Sequence, residues 1–118
     1  MSERDDAFSV RDMLDHAREA TGLLGGIDRQ GLRRNRVLQL ALTRLVEIVG
    51  EAANRVSAGA RKEYPSVPWP HIIGMRNRLV HGYDVVDYDL LWDTITTDLP
   101  SLIAALEVPA APENDSGT

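Results

Sequence analysis

Eight consecutive residues, Arg76-Asn77-Arg78-Leu79-Val80-His81-Gly82-Tyr83, carry two guanidiniums, a carboxamide, an imidazole and a phenol. Histidine moves protons near neutral pH. Arginine braces the charge that builds on a phosphate in a transition state. In the order Arg-x4-His-x-Tyr, these groups hold what metal-free cleavage of RNA needs. Spacing alone does not bring them together: on an ideal helix Arg76 and His81 stand about 140° apart and roughly 7.5 Å along the axis. Unwinding at Gly82 would close that gap, and so would a symmetric dimer that sets one chain's Arg76 beside the other's His81.

Each residue also has a plainer reading. His81 in the last turn of a helix would cap carbonyls and favour the dipole. Arg76 and Arg78 would stay solvated or pair with the acidic final helix, Asn77 would be a surface residue, and Tyr83 a partly buried aromatic with a wet hydroxyl. His71, and His16 among Asp12, Asp15 and Glu19, read as solvated. Glu47 and Glu51 lie one turn apart, but Glu51 has Arg55 at i+4, which favours an ordinary surface pair over a metal site. Trp69 and Trp92 read as core or staple residues. The chain has no Walker loop, Gly-rich dinucleotide turn, Cys/His cluster or Gly-x-Ser-x-Gly elbow.

Four helical segments and no convincing strand must position these groups. Ser9 with Asp12 resembles a capping box for a first helix that turns Met13, Leu14, Ala17 and Leu24 inward and stops at Gly25-Gly26. The longest helix is predicted from Asp28 or Gly31 to Ser57, with Leu38, Ala41, Leu42, Leu45, Ile48, Val49, Ala52 and Val56 at helical spacing. Gly50 inside it costs about 1 kcal/mol against alanine, so a neighbouring helix or a second subunit should approach closely there. Prolines 68 and 70 place the start of a third helix near Pro68, running to His81 and ended by Gly82. Asp87 should cap a fourth carrying Leu90, Leu91, Ile95, Leu102, Ile103 and Leu106, kinked near Pro100. The consistent architecture is an all-α antiparallel four-helix bundle over residues 8–107, between disordered segments at 1–7 and 108–118.

The 118 residues suffice for one core. No run approaches the roughly 18 apolar residues of a membrane span, the acidic N-terminus lacks the features of a secretory signal, and there is no cysteine. A cytoplasmic location is the expectation. The net charge of −5 argues against a nucleic-acid partner, but its distribution does not. Residues 1–83 hold all 13 basic residues against 10 acidic ones, a net of +3, and everything from Asp84 onward is acidic or neutral. A local basic patch around Arg76 and Arg78 is therefore compatible with phosphate binding.

The string Val67-Pro-Trp-Pro-His-Ile-Ile-Gly-Met-Arg-Asn-Arg-Leu-Val-His-Gly-Tyr83 closely resembles the "PW-x-x-IIGMRN-x-L-x-HGY" block of the HepT-like ribonuclease toxins of the HEPN superfamily. Ile48-Val49-Gly50-Glu51-Ala52 is similar to that family's "IGEA" segment, and Val86 to Trp92 with Asp98-Leu99-Pro100 resembles its last helix. The likeness spans about residues 9–107. It implies a HEPN bundle whose dimer turns two motifs into one cleft. It further implies His81 as acid/base, Arg76 as transition-state stabiliser, Asn77 as an orienting residue, and no metal or cofactor; Arg78, from the basic patch, is a candidate RNA contact. The substrate's 2′-hydroxyl would attack its own phosphate, which selects RNA over DNA. Tyr83 matches the tyrosine that a nucleotidyltransferase antitoxin adenylylates, blocking the cleft with bulk and negative charge. Two other readings keep the motif intact: a non-catalytic module that docks on a nucleotidyltransferase and binds nucleotide or RNA, and a purely structural tie across a dimer interface.

Overall fold

The amphipathic runs fold as an all-α, HEPN-type antiparallel bundle in the structure, a computed structural model that describes residues 3–81 and 85–108, with His81 and Val85 by their backbone alone. Helix α1 (Glu3–Leu24) packs along α3 (Arg36–Arg55) in the largest contact of the fold. Met13, Ala17, Ala20 and Leu24 recur every three or four residues and meet Leu42, Leu45, Val46, Val49, Ala52 and Ala53 in one buried core. The small alanines on both helices permit close axes.

Helix α1 begins earlier than the sequence predicts. It opens at Glu3, so residues 3–7 are helical, and Ser9 is buried inside it rather than capping it. Asp6 has a partner that local sequence does not reveal. Its carboxylate accepts from the Ser57 backbone N–H (2.9 Å) and hydroxyl (2.7 Å), at the N-cap of the short α4 (Ala58–Arg61). Those two bonds hold the Asp6 carboxyl below the usual carboxylate range. Of the tail expected to be disordered, residues 109–118 lie outside the described residues.

The single long helix predicted from Asp28 or Gly31 is two helices. Asp28 caps α2 (Arg29–Arg33) through Gly31 N–H (2.7 Å), and Asn35 caps α3 through Leu38 N–H (3.0 Å). Buried Gln39 donates to the carbonyls of Leu32 and Arg33, both at 2.9 Å, and so satisfies the end of α2. The fourth run starts as expected, with Asp87 accepting from Leu90 N–H (3.0 Å) at the head of α7 (Tyr88–Asp93). It widens into a π-helical turn, Thr94–Asp98, and continues as α8 (Leu99–Glu107). Pro100 falls in the first turn of α8, where its missing N–H is tolerated, and the irregularity expected near it is this π-turn. No helix among the described residues is long and apolar enough to cross a membrane.

Candidate active site

The motif sits on an edge built from short pieces. Helix α5 (Trp69–Ile73) starts at Pro68 and is seated on α3 at Gly50. A Cβ there would meet the carbonyl oxygens of Ile72 and Ile73, both at 3.3 Å, so the cost of glycine in mid-helix is the cost of docking α5. The expected approach at Gly50 is made by this chain's own backbone. Gly74 then turns the chain into α6 (Met75–Leu79), with Met75 and Leu79 buried and Arg76 and Asn77 facing out.

The third helix does not reach His81. It is interrupted at Gly74 and ends at Leu79, with Val80 already extended (φ −108°, ψ 124°). Val80–His81 forms β1, which pairs antiparallel with β2 (Val85–Val86), Val80 opposite Val86 and His81 opposite Val85. Asp87 N–H to the Leu79 carbonyl, at 2.8 Å, extends the ladder. β-branched Val80 and Val86 fit a pleated pair better than a helix end. His81 is therefore on a strand backbone, not in the helix's last turn, and the 140° separation of an unbroken helix does not apply to it. Gly82, expected to end the helix, lies outside the described residues, as do Tyr83 and the side chain of His81.

Arg76 is half-exposed and its Nε lies 3.3 Å from Glu47 Oε2. The other Glu47 oxygen pairs with Arg44, whose guanidinium is also 3.8 Å from Glu51. Glu47 thus carries two arginines, one from α3 and one from α6. On one side of this bridge is a recess with Gly50, Glu51, Asn54, Ile73 and Asn77. On the other is a groove of about 350 Å³ with Arg36, Leu40, Arg44, Val80, Val86 and Tyr88. Asn77 and Arg76 share the first recess, as their adjacency predicts.

Arg78 turns away from Arg76. Its Nη2 donates to the His71 carbonyl (2.8 Å) and lies 3.2 Å from His71 Nε2, which is 3.1 Å from Asp98 Oδ2. This is the link to the acidic final helix that its plainer reading described, with His71 as the intermediary. His16, expected to be solvated among Asp12, Asp15 and Glu19, is partly buried and lies against Asp12. Arg55, expected to pair with Glu51, reaches Asp12 of α1 at 3.1 Å instead. Trp69 is buried and donates to the Tyr64 carbonyl (3.3 Å), while the Arg29 guanidinium sits over Trp92. Sequence reasoning passed over Arg36, Arg44 and Tyr88 and took Glu47 for an ordinary surface carboxylate. The available signal was the stripe Arg36, Leu40, Thr43, Arg44, Glu47 on one face of α3.

The family model for HepT-like ribonucleases matches residues 13–108, nearly the whole of the described bundle including the motif edge. The chain belongs to the HepT-like ribonuclease family. Its relatives include "Putative RNase MJ1380" of Methanocaldococcus jannaschii, 33% identical over 108 residues, spanning 92% of this chain and 99% of that protein. "Probable ribonuclease HepT" of Thermococcus cleftensis is 32% identical over 103 residues, 84% of this chain and 94% of its own. "Putative RNase TTE0752" of Caldanaerobacter subterraneus is 38% identical over 77 residues, 65% of this chain and 69% of its own. No solved structure matches the chain. Membership in the HepT-like family gives a ribonuclease setting to the edge where α6 ends in a paired strand.

Proposed function

We propose that the protein is a metal-independent endoribonuclease toxin of a toxin–antitoxin pair, acting in the cytoplasm as a homodimer with a composite cleft. Support comes from one arrangement: Arg76 and Asn77 on α6 lead directly into the strand that carries His81, in a chain of the HepT-like family. In the reaction, the 2′-hydroxyl oxygen of RNA attacks the adjacent phosphorus and the bond from phosphorus to the 5′-oxygen breaks. One proton leaves the 2′-hydroxyl to a base and another reaches the departing 5′-oxygen from an acid. His81 serves as base in one chain and acid in the other, and Arg76 stabilises the charge on the phosphoryl oxygens. Asn77 orients the phosphate. A nucleotidyltransferase antitoxin silences the enzyme by passing adenylyl groups from a nucleoside triphosphate to the Tyr83 oxygen, with release of pyrophosphate.

The deciding experiment is cleavage of a 5′-labelled RNA by wild type and by His81→Ala, both in excess chelator, with intact masses recorded. Wild type should cut and leave cyclic-phosphate ends, and the variant should lose about 10²–10⁴-fold in rate. Absence of cutting together with a mass raised by adenylyl units identifies the silenced form. Absence of cutting at the unmodified mass, with RNA still bound, replaces this reading by a non-catalytic binding module. Undiminished cutting by His81→Ala removes the proposed mechanism.

A further inference from the structure

The groove beyond Arg76 has the chemistry of a track for a phosphate chain. One wall is the α3 stripe of Arg36, Leu40, Arg44 and Glu47, and the other is Arg76, Val80, Val86 and Tyr88. Arg36 and Arg44 are eight residues apart, about 12 Å along the helix, which exceeds one nucleotide step of an extended strand. Arg36 has the Tyr88 hydroxyl at 3.4 Å and, among the described residues, no carboxylate partner. Arg44 and Arg76 both pair with Glu47, and Glu51 lies 3.8 Å from Arg44. Arg29 and Arg33 on α2 are held by Asp89 and Asp93, whereas Arg36 is not. With Glu47 and Glu51 set against Arg36, Arg44 and Arg76, the groove keeps a positive surplus. Leu40 is 55% exposed, and with Val80, Val86 and the Tyr88 ring it gives apolar and aromatic surface for bases. Gln39, tied to the Leu32 and Arg33 carbonyls, makes the Arg36 end rigid before any ligand arrives.

We propose that this groove carries the single-stranded RNA on one side of the reacting phosphate, with Arg36 and Arg44 on alternate phosphates beyond Arg76. The proposal rests on the ribonuclease reading of the Arg76–His81 edge. Glu47 is then a positioning residue that holds Arg44 and Arg76 in one array. The apolar and aromatic surface of Leu40 and Tyr88 suits bases that are free to leave a stack, so the substrate class is unpaired RNA extending at least two nucleotides from the cleaved bond.

The test uses the full chain carrying His81→Ala, so that RNA stays intact, and follows binding of a fluorescent single-stranded RNA across a salt series. Arg36→Gln and Arg44→Gln should each flatten the slope of log K against log salt by about 0.7. Arg18→Gln, whose arginine pairs with Glu107 at 2.8 Å, should leave it unchanged. Circular dichroism checks folding and sedimentation checks assembly. If both groove variants keep the parent slope while wild type still cuts RNA, the track is overturned and the ribonuclease stands. If wild type at its unmodified mass neither cuts nor binds RNA, the ribonuclease reading falls and takes the track with it. If either groove variant changes the sedimentation coefficient, the groove is an interface between copies and the track is likewise overturned.

Discussion

The α1–α3 half and the α5–α6–β1 edge treat the same side chains in opposite ways. In the first, arginines are matched to carboxylates across helices: Arg18 to Glu107 at 2.8 Å, Arg55 to Asp12 at 3.1 Å. Long regular helices there bury an uninterrupted apolar stripe. At the edge no helix exceeds five residues. Where it faces α3 the arginines are less evenly matched: Arg76 and Arg44 meet on Glu47, Glu51 stands 3.8 Å from Arg44, and Arg36 rests on a phenol. Matched pairs have little left to offer an anion, whereas arginines with incomplete pairing keep donors for one. The contrast separates a scaffold from a surface that handles phosphate.

If the separation is right, substitutions should move stability in one half and chemistry in the other. Leu42→Ala in α3 removes a fully buried side chain. It should cost about 2–5 kcal/mol of unfolding free energy in denaturant titration, while the folded fraction keeps its cleavage rate. Arg76→Gln should do the reverse. Its cleavage rate should fall about 10²–10³-fold, with stability inside about 0.5 kcal/mol of wild type because the arginine is half-exposed. A large loss of stability in Arg76→Gln would make the edge structural and dissolve the contrast.

Gly50→Val tests the joint between the halves. The added side chain would meet the carbonyls of Ile72 and Ile73, so we expect a loss of about 1–3 kcal/mol in thermal or chemical denaturation and reduced cleavage together. Unchanged cleavage would mean that the seat of α5 does not position Arg76. The smallest effect is at Asp89, whose carboxyl is held below the usual range by hydrogen bonds from Arg33 and then Arg29. A depressed folded-state value contributes stability that is present above the ordinary carboxylate pKa and lost as pH falls through the folded one. Asp89→Asn should therefore melt lower than wild type near neutral pH, with the gap closing in acid, and cleavage should be unaffected. A gap that persists in acid would show that the carboxylate's charge is not what ties α2 to α7.

Much of the fold was legible from local chemistry. The apolar spacing of α3, the Asp87 cap and the irregularity before Pro100 each follow from residues within a few positions. Ser9 misled because a capping signature is a local preference that a buried neighbour can override, and the burial of Ser9 within α1 did so. Asn35 was missed as a cap inside an otherwise continuous pattern, which made two helices look like one. At the site, the Arg76-to-Tyr83 segment stood out by composition, but the ending of its helix at Leu79 did not. A two-residue strand has almost no propensity of its own and forms only because its partner returns beside it.

The amino-acid sequence by itself determined which faces of the helices are apolar, where aspartate and asparagine can cap them, and the clustering of Arg76, Asn77 and His81 in one short segment. These are properties of neighbours along the chain, governed by helical periodicity and short-range hydrogen bonding. Tertiary structure alone decided that Glu47 joins Arg44 to Arg76, that Arg78 leaves for His71 and Asp98, and that Arg36 and Tyr88 face the same groove. Most of those partners are tens of residues apart. Packing of α5 on Gly50 and of β1 on β2 sets the distances between their side chains, and charges pair according to distance.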